Sequence, residues 1–327
     1  MAKRVVTDWN PSFDGLLAPW MATQLTEEWK GAEVIFAKSD EEADRLGAEG
    51  ALVLNCGSGE FSGHPHDKYP NDCASTLFAK KHGLIDDPKL QRLLCVAVVS
   101  DNKPLNKLLS DLLPGKFADL EHFALASMPA NIKLLYGAGY TPQDALKWVS
   151  VYFYAEWKNQ QRFWEEAFPE FKEHAIRITV PAGDMDRSYP IAAIRSDSDK
   201  MLKLAQSKAG GRQALLFQMR STGNWAIFSF RGPLDEVVAT VRHEEMKKHG
   251  TVVNCSRKDL MADGTMPEVP NINYHRNGNQ IFNGSLTHPD VELTTLGFEE
   301  IWELIQIGIN TDRAATYWRE QSIALAA

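Results

Sequence analysis

One pattern in the first hundred residues constrains this chain most. Short apolar runs stop at acidic or amide groups. Arg4-Val5-Val6-Thr7 runs into Asp8-Trp9-Asn10-Pro11-Ser12-Phe13-Asp14-Gly15, Ala51–Leu54 stops at Asn55-Cys56-Gly57, and Leu94–Val99 stops at Asp101. Between the runs lie helix signals at Leu16–Lys30, Asp40–Leu46, Ser75–His82 (closed by Gly83) and Pro88–Leu94, with a further strand at Glu33–Ala37. Strands alternating with helices predict an α/β fold with a mainly parallel sheet and helices on both faces. The carboxyl ends of such strands converge on one crevice, where ligands bind. Asp8, Asp14, Asn55 and Asp101, joined by His64 and His66 from Gly63-His64-Pro65-His66-Asp67, are the expected divalent-metal set. Oxygen donors mixed with imidazole suit Mn²⁺, and oxygen donors alone suit Mg²⁺.

Each group also has a plainer reading. Asp14 could cap the helix that follows it, Asp8 could be a solvated turn residue, and the histidine segment could be a polar loop. Asp67 could orient a histidine rather than bind metal.

With 327 residues the chain is long enough for two domains. A helical stretch from about Leu105 to His174 extends the first, and the boundary is expected near residue 175, giving 1–174 and 175–327. Thr141-Pro142-Gln143-Asp144 is a helix start: a hydroxyl cap, a proline and an early acid. The aromatic residues that follow, Trp148, Tyr152, Trp157 and Phe163, are expected in the core rather than on a ligand platform. After His174, strands are predicted at Ala175–Pro181, Tyr189–Arg195, Ala214–Arg220 and Asn224–Phe230, with Ser221-Thr222-Gly223 as a hairpin turn. Helices are predicted at Leu234–His249 and Phe298–Ile309, and a surface loop at Arg257–Asn273. This half reads as a smaller α+β domain.

No apolar run approaches membrane-spanning length and no signal-peptide core follows Met1, so a cytoplasmic, non-membrane location is expected. Cys56, Cys73, Cys95 and Cys255 form no Cys-x-x-Cys pair and are expected to be reduced and mostly buried. A net charge of −8 argues against a surface coated in phosphate contacts but leaves room for a local basic groove. Arg242, His243, Lys247, Lys248 and His249 form one basic run, which could touch a nucleic-acid backbone or simply complement a helix dipole.

The order of these motifs resembles the DHH phosphoesterase superfamily. Its first motif, His-x-Asn-Pro-Asp-x-Asp, is similar to Asp8-Trp9-Asn10-Pro11-Ser12-Phe13-Asp14. Its strand-end Asp corresponds to Asn55, its Asp-His-His to His64-Pro65-His66-Asp67, and its later Asp to Asp101 in Ser100-Asp101-Asn102. Within the superfamily the chain resembles the MYG1-like metal-dependent 3′–5′ RNA exonucleases, through Asn55-Cys56-Gly57-Ser58, Asp101-Asn102, Gly223-Asn224-Trp225-Ala226-Ile227 and Phe282-Asn283-Gly284-Ser285.

The resemblance implies a metal-dependent phosphodiesterase, with one or two Mn²⁺ or Mg²⁺ ions and RNA or a short oligonucleotide as substrate. His64, His66 and Asp67 would be the catalytic candidates, with a histidine as ligand or general acid. Lys103 and Lys107 would neutralise phosphate. Arg220, Arg231, His275, Arg276, Gly284 and Ser285 would hold substrate, each with a solvated surface residue or a simple turn as the alternative. The departures are chemical. Asp8 replaces a His, Ser12 an Asp, and Asn55 a bridging Asp, and a neutral amide bridges cations poorly. One ion position is therefore expected more than two. A hydrolase of a small phosphate compound, and a degraded binding protein that does not cut, are the alternatives. The oligomeric state is open.

Overall fold

Val5 and Val6 lie side by side in the chain but enter different cores, and this alternation builds the first sheet. In the computed structural model, which describes residues 2–62, 72–102, 128–183, 187–251, 255–284 and 291–326, strand β1 (Arg4–Asp8) pairs in parallel with β2 (Glu33–Ala37) and β3 (Leu52–Val53). The order is β2-β1-β3. On one face Val5, Phe36 and Leu54 pack with α1 (Phe13–Leu25), α3 (Ala74–Lys81), α4 (Gln91–Asn102), α5 (Met128–Gly137) and α6 (Pro142–Gln161). On the other, Val6 and Ala37 pack with Ala43 and Leu46 of α2 (Asp40–Ala48).

One expected strand is a helix. Leu94–Val99 lies inside α4. Leu90, Leu93, Leu94 and Ala97 are buried together, at helical spacing, while Cys95 and Val96 are exposed. A short apolar run is ambiguous between buried strand and helix, and here i, i+3, i+4 and i+7 burial decides. Asp101 therefore sits in the last turn of α4 and not at a strand end.

The aromatic stripe of α6 is also placed differently from expectation. Phe153 is the buried ring, against Phe13 and Trp20. Trp148 and Tyr152 are exposed, and Trp157 is half-buried. The capping prediction holds: the Asp144 N–H donates to the Thr141 hydroxyl (3.2 Å), and the Thr141 N–H donates to the Asp144 carboxylate (3.1 Å).

The chain divides into two compact units, 1–161 and 162–327, at the point where α6 gives way to a π-helical turn, Arg162–Ala167. The expected boundary lay thirteen residues later in the chain, after α7 (Phe168–His174), whose Phe171 packs with Ala192 and Leu216 of the second unit.

The second unit carries the larger sheet, seven strands in the order β4-β5-β6-β7-β10-β9-β8. It comprises β4 (Ile176–Pro181), β5 (Ser188–Arg195), β6 (Leu215–Met219), β7 (Trp225–Ser229), β8 (Gly264–Met266), β9 (Val269–His275) and β10 (Gln280–Asn283). Only β5 and β6 pair in parallel. The α/β class stands, but parallel pairing dominates only the small sheet. Ile191, Ala193, Leu215 and Phe217 face α9 (Asp235–Lys248) and α11 (Phe298–Ile309), while Ala192, Ile194 and Leu216 face α7 and α8 (Met201–Gln206).

The Ser221-Thr222-Gly223 hairpin is as expected, with Met219 opposite Trp225. The expected loop 257–273 is instead α10 (Arg257–Leu260), β8 and most of β9. Gly, Pro and Asn mark it as a loop locally. Pairing with β10, together with burial of Val269, Ile272 and Tyr274, makes it sheet. Helix α12 (Thr311–Ala326) closes the chain. Among the described residues no helix is long and apolar enough to cross a membrane.

Candidate functional site at the carboxyl edge of the parallel sheet

From β1 the chain passes through α1 to β2 on one side, then through α2 to β3 on the other. The carboxyl ends of β1 and β3 thus flank a topological switch point, where open α/β sheets place ligands. Asp8 ends β1 and Asn55 follows β3 by two residues. The Asn55 amide donates to Asp8 Oδ1 at 3.0 Å. The Thr7 hydroxyl lies 3.2 Å from the same oxygen and donates to the Gly15 carbonyl at 2.9 Å.

Asn55 adopts the left-handed conformation (φ 59°), which asparagine tolerates better than other non-glycine residues. Its N–H donates to the Phe61 carbonyl (2.9 Å), closing the turn. Helix α2 holds the same turn from beneath: Asp40 accepts from the Gly57 N–H (2.6 Å) and Asp44 from the Ser58 N–H (2.8 Å). Gly15 is required by space. A Cβ there would lie 2.7 Å from Asn55 Nδ2 and 2.8 Å from Asp8 Oδ1.

Burial pushes the Asp8 carboxyl above its ordinary value, although hydrogen bonds from Asn55 and Thr7 pull it down, and the charge of Asp14 adds to the rise. Among the described residues Asp8 has no cationic partner, and its donors are Asn55, Thr7 and its own backbone N–H. A half-buried carboxylate left without a counter-charge is costly, and such groups concentrate at functional sites. Cys56, next to Asn55, is pushed up to about 12, by burial first and then by the charges of Asp8, Asp40 and Asp44. Its thiol is therefore neutral at physiological pH and no nucleophile.

Asp14 is fully buried and faces elsewhere. Its two carboxylate oxygens accept from the Ala74 and Ser75 N–H groups, each at 2.9 Å, at the first turn of α3. The Ser75 hydroxyl returns a bond to the Asp14 carbonyl (3.1 Å). Asp14 thus caps a helix sixty residues away, and its own helix α1 is capped by Ser12. Both oxygens have committed donors.

The remaining expected groups divide three ways. His64, His66, Asp67, Lys103, Lys107 and Ser285 lie outside the described residues. Asp101 is carried on α4. Arg220, His275, Arg276 and Gly284 belong to the second unit and fall at two ends of its sheet. Arg220 begins the β6–β7 turn, and Gly284 follows β10 beside the start of β7. His275 and Arg276 sit at the other end of β10, opposite Gln280. The length of β10 sets the two groups about 10 Å apart along the backbone. Arg276 is also engaged, with Asp235 (3.0 Å) and the Met261 carbonyl (2.8 Å). Arg231 donates to the Arg212 carbonyl (2.6 Å).

The basic run of α9 divides: Lys247, Lys248 and His249 are exposed at its carboxyl end, where the dipole reading puts them, and Arg242 and His243 are buried. Arg242 is fully buried, and its guanidinium donates to the carbonyls of Leu260 (2.9 Å), Ala262 (2.8 Å), Gly264 and Ile272 (3.3 Å). Burial brings its pKa down to about 10. His243 is buried on the Tyr317 hydroxyl (2.7 Å). Neither presents a charge to a nucleic-acid backbone, and the dipole reading does not account for them either. Arg242 ties α9 to β8 and β9.

Two residues at the small sheet's edge were not anticipated. Trp9, directly after Asp8, is 41% exposed, and Lys38, directly after β2, lies over its ring at 4.9 Å. An exposed indole beside a strand-end carboxylate was the available signal. Together they offer a stacking surface and a cation at the same edge of the sheet.

Among the described residues no group of three or more His, Cys, Asp or Glu side chains is placed to hold a metal ion. Asp8 and the Asn55 carbonyl oxygen are the described donors at the switch point, and they fit part of one cation position rather than a two-ion cluster.

No protein-family model and no curated protein matches the chain. A solved structure described as an uncharacterized protein from Helicobacter pylori G27 aligns with 94% of this chain and 98% of its own, at 12% identity and a TM-score of 0.20.

Proposed function

We propose that this chain is a metal-dependent phosphoesterase of the DHH type, acting on RNA or a short oligonucleotide. The observation that carries the reading is the half-buried Asp8 carboxylate, without a cationic partner among the described residues and hydrogen-bonded by Asn55 at the switch point of the parallel sheet. A divalent cation would supply the missing charge, held by Asp8, Asn55 and the His64–Asp67 segment, and would activate a water and polarise a phosphoryl oxygen. Trp9 and Lys38 then serve as substrate contacts, one for a base and one for a phosphate. Asp14 acts as a positioning residue that fixes α3 against α1.

The test is a Mn²⁺-dependent hydrolysis assay on end-labelled RNA, with Asp8→Ala beside wild type. Turnover by wild type and loss in the variant is the expected result. Equal turnover rejects the assignment. Preference for a dinucleotide or pyrophosphate over longer RNA moves the substrate to a small phosphate compound. A binding protein that does not cut is favoured by one observation, the neutral Asn55 where the resembled motif has a bridging Asp. Mn²⁺ binding without hydrolysis, with turnover gained in Asn55→Asp, would establish it.

A further inference from the structure

Between Asp199 and Asp235 the chain carries six Lys or Arg residues and no Asp or Glu, in a protein whose net charge is −8. Two of the six are answered. Lys200 pairs with Asp199 (2.7 Å), and Arg220 sits at the carboxyl end of β6 beside Asp197. The other four, Lys203, Lys208, Arg212 and Arg231, are exposed and have no carboxylate partner among the described residues. Glu165, Glu166, Glu170 and Glu173, on the π-helical turn and on α7 beside α8, pair with none of them. Asp235 is held by Tyr274 (2.8 Å) and Arg276 (3.0 Å). Asp184 and Asp186 lie outside the described residues.

The fold gathers these four around one loop at the amino end of β6. The Ser207 N–H donates to the Lys203 carbonyl (3.1 Å), the Arg212 N–H to the Ser207 carbonyl (3.0 Å), and the Arg231 guanidinium to the Arg212 carbonyl (2.6 Å). Gly210 permits the fold-back onto α8: a Cβ there would lie 2.0 Å from the Leu204 carbonyl oxygen. Arg212 holds the left-handed conformation (φ 50°), which is costly for a long side chain. Backbone strain of this kind collects at functional sites. The dipole of α8 accounts for Lys203 in its last turn, but not for Arg212 or Arg231.

Four unanswered cations call for an anion, and the loop itself narrows the choice. A single phosphate is held by convergent backbone donors. Here the loop amides are engaged internally: the Gly210 N–H on the Ser207 hydroxyl (3.1 Å), the Gly211 N–H on the Lys208 carbonyl (3.2 Å) and the Arg212 N–H on Ser207. A membrane surface or an acidic protein calls for apolar contact beside the cations, and no large apolar side chain between Lys200 and Leu234 is exposed. A nucleic-acid strand needs neither, because its spaced phosphates meet separate cations. We propose that Lys203, Lys208, Arg212 and Arg231 form a surface on the second unit that binds the phosphate backbone of a nucleic-acid strand. The ligand class rests on the functional reading above, but the surface shares no residue with the Asp8 position and its test needs no hydrolysis.

The test is fluorescence anisotropy of the full chain carrying Asp8→Asn, in EDTA, on a fluorescein-labelled single-stranded RNA across a range of salt. Each phosphate contact contributes a slope of about −0.7 in log affinity against log salt, so four predict about −2.8. At about 0.1 M salt, taking about 1 M as reference, each contact is roughly fivefold in affinity. Lys203→Gln, Lys208→Gln and Arg212→Gln combined should therefore bind roughly 100-fold more weakly, with a slope of about −0.7. Arg212→Gly should weaken binding about fivefold and melt no lower than its parent, since glycine enters the left-handed conformation freely. Arg313→Gln, which removes an exposed charge from α12, should change neither affinity nor slope. No binding, a slope that the triple substitution leaves intact, equal weakening by Arg313→Gln, or displacement of the RNA by micromolar pyrophosphate overturns the proposal. Recovery on phosphatidylserine vesicles without affinity for RNA overturns it too and assigns the surface to a membrane. Binding without cutting by the wild-type chain in Mn²⁺ supports this surface and rejects the hydrolase reading. Cutting by a chain whose affinity ignores the triple substitution does the reverse.

Discussion

Replacing Asp14 separates a residue that holds the fold from one that holds a cation. Its carboxylate receives two backbone N–H groups at 2.9 Å, from Ala74 and Ser75, in a fully buried position. Asp14→Ala removes both acceptors and leaves two buried N–H donors unpaired. Each buried, unsatisfied N–H costs about 1–3 kcal/mol. Losing an anion at a helix amino terminus adds about 0.3–2 kcal/mol. The expected destabilisation is therefore roughly 3–6 kcal/mol for Asp14→Ala. Asp14→Asn keeps one acceptor oxygen and should lose about half of that. At ~2–4 °C per kcal/mol for a unit of this size, Asp14→Ala should melt roughly 6–24 °C lower.

The assay is thermal and urea unfolding of wild type and both variants, in EDTA and in saturating Mn²⁺. Hydrogen exchange at the Ala74 and Ser75 amides serves as the local probe. The deficit should be the same with and without metal, and both amides should lose protection. A variant that melts with wild type in EDTA but loses only the Mn²⁺-dependent increment would show that Asp14 acts on the ion and refute the capping argument.

Asp8→Asn should stabilise the protein at neutral pH by ~0.5–2 kcal/mol while abolishing hydrolysis. Burial raises the folded-state pKa of Asp8 above its ordinary 3.8, so ionising it costs stability once pH rises past the unfolded value, and the asparagine removes that cost. Unfolding midpoints of the pair at pH 4 and pH 7 check the sign: the gap should widen with pH. Glu245 has the opposite sign. It is fully buried, and desolvation would raise its pKa, but donors from Thr294, Thr295, Asn271 and His249 outweigh this and hold it below the ordinary 4.5. The stability it contributes is present above that value and lost as pH falls through the folded pKa, so Glu245→Gln should flatten the acid limb of a stability–pH curve. Glu245→Ala, which strands those donors, should cost roughly 3–5 kcal/mol by urea unfolding. Arg242→Met should destabilise by a similar ~3–5 kcal/mol, because four carbonyls lose their donor, and should leave oligonucleotide affinity, measured by fluorescence anisotropy, unchanged.

Local sequence determined the elements whose signals are local. Val5 to Thr7 and Glu33 to Ala37 read as strands because they are short runs rich in β-branched and other apolar residues, too short for a helix. Phe298–Ile309 reads as a helix, and Thr141-Pro142-Gln143-Asp144 as its kind of start, because capping chemistry is written within four residues. The strand-end positions of Asp8 and Asn55 followed from the same signals. Tertiary structure decided the rest. Leu94–Val99 is compatible with a buried strand or a buried helix, and only its neighbours selected the helix. Asp14 caps α3 and Arg242 clamps β8 and β9, yet neither partner is nearby in the chain. A charged side chain's role is set by which dipoles surround it after burial, and no local pattern encodes that environment. The same holds for α6: its sequence supplied the aromatic residues, but packing against α1 chose Phe153 for the core and left Trp148 and Tyr152 outside.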